Sequence, residues 1–357
     1  MSTDKSQISN LKSKLATIKL PISKSIANRL LLLQAIHGDS LLRVSSDMPD
    51  DVLVLHDALQ QIRDIFGTPA EWHFSPSLER VKSSARSDAQ WSSVEQSGVG
   101  LYLKNCGTAL RFLQVHIAQC YPGAPITLTG DPRLMERDGK PTSQTISARI
   151  LHGEDIPVEP DESPYITMSR RIKEAYESYP SPLRGEPERG LEADWSAASY
   201  WYEYIAIHGG ELLLEGLTSD SLQGDKVVAD IYAEYFGVET TFVPEGAILQ
   251  AEPVLQRSGL TATRSYNEVV IDFVNIPDLY PAIALTCERL GITLHATGTE
   301  RLRYKESDRL EAVRLHEVRN DHRIAMALMA ADYPVSQDEQ RCIAKSYPAF
   351  VAELCGV

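Results

Sequence analysis

Six short clusters in this chain gather hydroxyls, amides and cations just where an apolar run begins. They are SKSIANR (23–29), NCGTALR (105–111), TSQTIS (142–147), DWSAASY (194–200), KESDR (305–309) and NDHR (320–323). The chemistry such clusters suit is anion binding. A helix start offers unpaired N–H groups and the positive end of the dipole. Arginine adds a planar fork that matches carboxylate and phosphate. If Lys24, Arg29, Arg111, Arg133, Lys305, Arg309, Arg323 and Lys345 converged, they would form a cationic pocket. Its natural guest is a small molecule, or a pair of them, bearing several phosphates and carboxylates.

Taken singly, each cluster has a plainer reading. KESDR is a charge run of the kind that covers solvated helix faces. NCGTALR also reads as a tight turn into a helix, with Gly107 supplying backbone freedom. SKSIANR reads equally as a capped helix start. His322 fits a structural histidine. Cys106, with no His or Asp close in sequence, fits an inert packed thiol. The plain readings leave the ordered recurrence of all six unexplained.

Clusters of this kind need strands that stop and helices that start. LATIKLPI (15–22), GVGLYLKN (98–105), PITLTG (125–130), ELLLEGL (211–217) and EVVIDFVNI (268–276) read as strands. Helical runs lie between a Ser23 cap and Gly38, over 109–118, over 225–237 and over 281–291; Gly237 and Gly291 close the last two. Strand followed by helix recurs along the whole length, which gives an α/β (α+β) class. SYPSPLRGEPERG (178–190) has linker composition, and residues 82–97 form a Ser-rich loop. Two domains are expected, 21–191 and 1–20 together with 192–357.

Length and composition agree with that organisation. The chain has 357 residues, 43% of them hydrophobic, enough for two sizeable cores. Its net charge of −14 argues against a general nucleic-acid or membrane-surface partner, since those need surplus Lys and Arg. The polar N-terminus predicts no signal peptide, and the apolar run Leu30 to Leu33 is far too short to span a bilayer. Five cysteines, Cys106, Cys120, Cys287, Cys342 and Cys355, never form C-x-x-C. They predict free thiols in a reducing cytoplasm and no zinc site. The nine histidines show no H-x-x-H or H-E-x-x-H, and no P-loop, G-x-G-x-x-G or G-x-S-x-G is present.

In order, LPISKSIANR, NCGTALRFL, LTGDPRLMER, TSQTISA, SPYITM, EADWSAASYW, QGD, IPDL, KESDRLEA, NDHRIAMA and AKSYPAF resemble the 5-enolpyruvylshikimate-3-phosphate synthases over nearly the whole chain. DWSAASYW and the AKSYP ending are similar to the Bacteroidetes-type branch. The resemblance implies a two-domain enolpyruvyl transferase fold, with pseudo-threefold βαβαββ units in each domain and the active site in the interdomain cleft. It implies transfer of the enolpyruvyl group of phosphoenolpyruvate to the 5-hydroxyl of shikimate 3-phosphate, with release of phosphate. That reaction belongs to chorismate and aromatic amino-acid biosynthesis. No metal or organic cofactor is implied, and a cytoplasmic monomer is expected. The first domain would serve shikimate 3-phosphate and the second phosphoenolpyruvate.

Carried over by motif, the catalytic residues are Lys24, Asp278, Lys305 and Glu306. Asp278 would take the proton of the attacking hydroxyl, with Lys305 near that oxygen. Glu306 would protonate the methylene carbon, and Lys24 would meet phosphoenolpyruvate. Ser25 and Arg29 would hold the shikimate carboxylate, and Ser143 its phosphate. Thr142 stands beside Ser143 in the same motif. Gln144 would sit by the substrate ring, and Tyr165 would lie near the shikimate site. Asn105, Gly107 and Arg133 would line the phosphate of phosphoenolpyruvate, and Arg309, Arg323 and Lys345 would grip its anionic groups. Two carboxylates in unlike settings suit an addition that needs both acid and base.

The chain also departs from the family pattern. Glu162 and Ser163 precede Pro164 where Ser and a cation are usual, so Glu162 is expected to repel a phosphate. Only Asp138 to Pro141 separate Arg137 from Thr142, and only Arg314 to Arg319 separate KESDRLEAV from NDHR. A nucleotide-sugar enolpyruvyl transferase is disfavoured by KESDR, NDHR and the Ser-Gln pair. A shortened, non-catalytic anion-binding homologue stays open.

Overall fold

A computed structural model of the chain describes residues 15–69, 98–136, 142–160, 162–178, 191–252 and 267–357. The Ser-rich loop at 82–97 and all but Ser178 of the expected linker lie outside the described residues. The chain divides into two compact units. An inserted unit spans Lys24–Leu191, and an enclosing unit is formed by Met1–Ser23 with Glu192–Val357. Among the described residues no helix is long and apolar enough to cross a membrane.

Strand β1 (Ala16–Lys19) opens the enclosing unit, and the inserted unit follows. Its helix α1 (Lys24–His37) packs on α2 (Asp50–Phe66). Helix α2 buries Val52, Leu55, Leu59, Ile62 and Phe66, a stripe at helical spacing that seats it on the core. Strands β2 (Val99–Tyr102) and β3 (Ile126–Thr129) pair in parallel, from Val99 with Ile126 to Tyr102 with Thr129. A parallel pair needs a long crossover, and α3 (Gly107–Cys120) supplies it. A single turn, α4 (Pro132–Met135), comes next. Then α5 (Ser143–Leu151) and α6 (Pro164–Ser178) pack against each other and against α1. Thr142 caps α5 by accepting from the Thr145 N–H, and the Thr145 hydroxyl accepts from Thr142 in return.

The enclosing unit resumes at α7 (Trp195–His208), which is apolar almost all round and therefore buried on most sides. Asp194 caps it. Strand β4 (Gly210–Glu215) follows, then an irregular helical run. A 3-10 turn (Gly224–Val227), the short α8 (Val228–Ile231) and a π turn (Tyr232–Phe236) stand where the sequence predicts one helix; Gly237, at φ 68°, still closes it. Strands β5 (Glu239–Val243) and β6 (Gly246–Ala251) form a hairpin that was not expected from the sequence. The sheet order is β1-β4-β6-β5, with only β1 and β4 parallel. Gly246 is required there, because a Cβ would lie 2.0 Å from the Leu214 carbonyl oxygen. Strands β7 (Glu268–Asp272) and β8 (Thr293–Thr297) are again parallel and joined by a crossover, α9 (Tyr280–Leu290). The chain ends with α10 (Arg309–Leu315), α11 (His322–Ala330), a 3-10 run (Glu339–Lys345) and α12 (Phe350–Leu354). Helix α7 packs against α9, α11, β4 and β6. Trp195, Trp201, Tyr202, Tyr232 and Phe350 fill the core around it.

Candidate active site

In the enclosing unit four segments bring charge to one place. Asp278 lies in the loop between β7 and α9. Lys305 and Glu306 lie between the 3-10 turn Glu300–Tyr304 and α10, which opens at Arg309. Arg323 lies in the first turn of α11, and Lys345 ends the 3-10 run after it. KESDR and NDHR come together because a tight turn joins α10 to α11. His316, Arg319 and Asn320 take left-handed conformations there, at φ 53°, 50° and 56°. None is glycine, so each conformation costs energy that contacts must offset. The His316 ring stacks 4.1 Å from the Tyr333 ring centroid and bonds Glu288, while Arg319 pairs with Glu311 and Glu317.

Arg309 is the hub. It is 1% exposed. Its Nη1 donates to Asp278 at 2.7 Å, its Nη2 to Glu306 at 2.7 Å, and its Nε to Asp321 at 2.8 Å. Asp278 also accepts from Arg323 at 2.9 Å and lies 3.4 Å from the Lys305 ammonium. Glu306 also accepts from Lys345 at 2.8 Å. Four cations thus share three carboxylates, and the KESDR run is not a solvated helix face. Burial works to lower the Arg309 pKa, but the charges of Asp321, Glu306 and Asp278 together outweigh it and the net shift is upward. Burial lowers the Lys305 pKa, with Asp278 opposing. Asp225, 6% exposed and bonded to the Ser196 hydroxyl, is pushed up to about 6, first by burial and then by the charge of Asp278.

Asp321 is a partner that was not singled out from the sequence. It caps α11 by accepting from the Arg323 N–H at 3.0 Å, and it also accepts from Ser307 and Arg309. Its signal lies inside the NDHR motif, as an acid directly before a helix. Asp194 and Asp308 likewise cap α7 and α10. Three of the helix starts expected to attract foreign anions are therefore capped by the chain's own carboxylates. Asp225 belongs to the QGD motif, for which the sequence suggests no role.

The inserted unit holds a different arrangement around Arg29, which is wholly buried. Its Nε donates to the Ser169 hydroxyl at 2.7 Å and its Nη1 to the Ser25 carbonyl at 2.7 Å. Its Nη2 reaches the Tyr165 carbonyl at 2.9 Å, Gln144 Oε1 at 3.2 Å and the Ser147 hydroxyl at 3.4 Å. The guanidinium carbon also lies 5.7 Å from the Phe112 ring centroid and 5.9 Å from that of Tyr165. All its acceptors are neutral, and burial lowers its pKa to about 10. Ser25, Arg29, Gln144 and Tyr165 thus meet, joined by Ser147, the last residue of TSQTIS, and by Ser169, which lies outside every motif of the sequence.

The other expected residues of the inserted unit stand on or beside α1, α3, α4 and α5. Lys24 stands 3.7 Å from Asp51. Asn105 precedes α3 and Gly107 opens it, with Arg111 one turn on, bonded to Gln114. Arg133, on the short α4, pairs with Glu136 at 3.1 Å. Thr142 and Ser143 form the start of α5. Glu162 has partners of its own. Its carboxylate receives Arg170 Nε and Nη2 at 3.0–3.2 Å and the Thr167 hydroxyl at 3.1 Å, so its charge is answered within the unit.

A family profile described as EPSP synthase (3-phosphoshikimate 1-carboxyvinyltransferase) matches residues 7–161 and 179–316 of this chain. A Bacteroides fragilis (strain YCH46) protein named 3-phosphoshikimate 1-carboxyvinyltransferase is 29% identical over 412 aligned residues, covering 95% of this chain and 94% of the relative. One of the same name from Methanosphaerula palustris is 25% identical over 422, covering 92% and 94%. Both alignments are longer than the 357-residue chain, so they open gaps within it.

Proposed function

The chain belongs to the EPSP synthase family, and from that premise we propose that it transfers the enolpyruvyl group of phosphoenolpyruvate to the 5-hydroxyl of shikimate 3-phosphate and releases phosphate. One observation carries the reading. Asp278 and Glu306 share Arg309, and each also holds a cation of its own. Addition of the hydroxyl across the enol double bond of phosphoenolpyruvate needs a base for the hydroxyl and an acid for the methylene carbon, and elimination of phosphate then takes a proton back from that carbon. In this reading Asp278 accepts the hydroxyl proton beside Lys305, and Glu306 delivers a proton to the methylene carbon. Phosphoenolpyruvate brings a phosphate and a carboxylate that compete for Arg309, Arg323 and Lys345. As those cations turn to the substrate, Asp278 and Glu306 lose charge partners and bind protons more readily. Anion binding then readies both groups. In the inserted unit, Arg29 with Ser25, Gln144 and Tyr165 would hold shikimate 3-phosphate.

Release of inorganic phosphate from the two substrates tests the reaction, and turnover is expected. Glu306→Gln should abolish it while leaving shikimate 3-phosphate affinity near normal; a fully active variant refutes the acid role. A second reading, a non-catalytic anion-binding homologue, is favoured by the gaps within the chain and by the direct turn from α10 to α11. Tight binding of both substrates with no phosphate released would support it.

A further inference from the structure

We propose that His116, Cys120 and His152 form a binding site for a borderline-soft divalent cation of the zinc class in the inserted unit. The three potential ligand atoms lie within 4.8 Å of one another. His116 and Cys120 are one helical turn apart on α3, so they face the same side. His152 is the residue that ends α5. The site therefore joins the C-terminal ends of two helices that pack together.

The distances suit the ion. His116 Nδ1 and His152 Nε2 are 3.3 Å apart. Two Zn–N bonds of about 2.0–2.1 Å at a tetrahedral angle span about 3.3 Å, so these two nitrogens are already at coordinating separation. The Cys120 sulfur is 3.9 Å from the other ring nitrogen of His152. An ion on His152 Nε2 with a Zn–S bond of about 2.3 Å needs the sulfur about 3.6 Å from that nitrogen; the sulfur now contacts the Nδ1 side of the ring, so rotation of the Cys120 or His152 side chain must bring the ligand atoms to one ion. His116 is buried at 1% exposure, and its ring packs edge-on to Tyr121 at 5.5 Å. Cys120 and His152 are half-buried, which leaves a fourth position open to water or a small ligand. Burial favours the neutral, lone-pair-bearing imidazoles that metals require, but it also pushes the Cys120 thiol up to about 12, so the ion must displace that proton to bind the thiolate. Arg63 faces His116 and opposes a cation, while Glu154 faces His152 and favours one. The proposal departs from the expectation of no zinc site. His-x-x-x-Cys with a His thirty-two residues on matches none of the spacings sought in the sequence.

The test uses the full chain, stripped with a chelator and titrated with Co(II). One equivalent should bind with a thiolate-to-cobalt charge-transfer absorption, and Zn(II) should displace it. Cys120→Ser should remove that absorption and His152→Gln should weaken binding at least tenfold. Both should keep the far-ultraviolet circular dichroism of the parent, and Cys355→Ser should change nothing. If Cys120→Ser unfolds the chain, His152→Gln decides. A cobalt spectrum without the thiolate band, or binding indifferent to His152→Gln, overturns the proposal. None of these readouts depends on turnover.

Discussion

Two arginines, one in each unit, are equally buried and oppositely partnered. Arg309 at 1% exposure donates to three carboxylates. Arg29 at 0% donates only to hydroxyls, carbonyls and an amide. Burial lowers the proton affinity of both, but the carboxylates reverse the result at Arg309, while at Arg29 it stands, at about 10. Partner type, rather than depth, decides the electrostatics of a buried cation. Arg309 is neutralised by its own carboxylates until a substrate anion competes for it. Arg29 keeps a charge that only neutral dipoles answer, and an arriving anion would complete it. The Gln144 and Ser147 bonds, at 3.2 and 3.4 Å, are the longest and the easiest for a carboxylate to replace.

The largest expected effect follows from Arg309. Arg309→Met takes from buried Asp321 its arginine and from Asp278 and Glu306 one of the cations they share, and removing one member of a buried ion network costs about 3–5 kcal/mol. Urea unfolding should show that loss together with lost turnover; a loss near zero would mean that the carboxylates find other cations. Asp225 comes next. Its folded pKa of about 6 lies above the ordinary 3.8. The folded state therefore binds more protons between these values, and stability present below 3.8 is lost as pH rises through 6. Asp225→Asn should remove that loss and gain about 3 kcal/mol at pH 8 but nothing near pH 3, since each tenfold change in proton affinity is worth about 1.4 kcal/mol. The site also gains a positive increment as Asp225 protonates. Sulfate, which does not titrate here, should bind tighter below pH 6 in the parent and not in the variant.

Local signals made much of this legible. Gly237 and Gly291 end helical runs, as their sequence positions predict, and KESDR and NDHR do mark convergent charge. The spacing of cations could not show what they pair with. Asp321 sits 12 residues from Arg309 and Asp278 31 residues away, so the hub depends on how α9, α10 and α11 pack. Ser169 reaches Arg29 across 140 residues, which no local pattern encodes. The β5–β6 hairpin carries no strong local signal, because its Pro244–Glu245 turn lacks the usual Asn-Gly pair. The repulsion expected of Glu162 rested on charge sign alone, and Arg170 lies on the next turns of a helix that was not expected from the sequence.

Arg29→Met should be the milder member of the arginine pair. It forfeits hydrogen bonds to neutral groups, each worth about 1 kcal/mol net, but it also relieves a buried charge. A net loss of about 1–2 kcal/mol is expected, with shikimate 3-phosphate binding hit much harder than stability. A stability loss equal to that of Arg309→Met would erase the contrast between the two arginines.

The smallest effect concerns Glu162 and Arg170, a third kind of partnering in which one anion answers one cation. Their side chains are 8% and 20% exposed, and Arg170 also donates to the Ile156 and Pro157 carbonyls. Glu162→Gln leaves Arg170 with those carbonyls and should cost about 1 kcal/mol, the range of a partly exposed pair. Changing both to glutamine removes both charges at once. Because the pair is already neutral from outside, the double variant should leave shikimate 3-phosphate affinity within twofold. A tenfold gain would mean that the ligand feels Glu162 alone and that the repulsion read from the sequence is real. It would also show that a bidentate pair this near the surface does not shield a bound anion, which would narrow the contrast between Arg29 and Arg309 to fully buried partners.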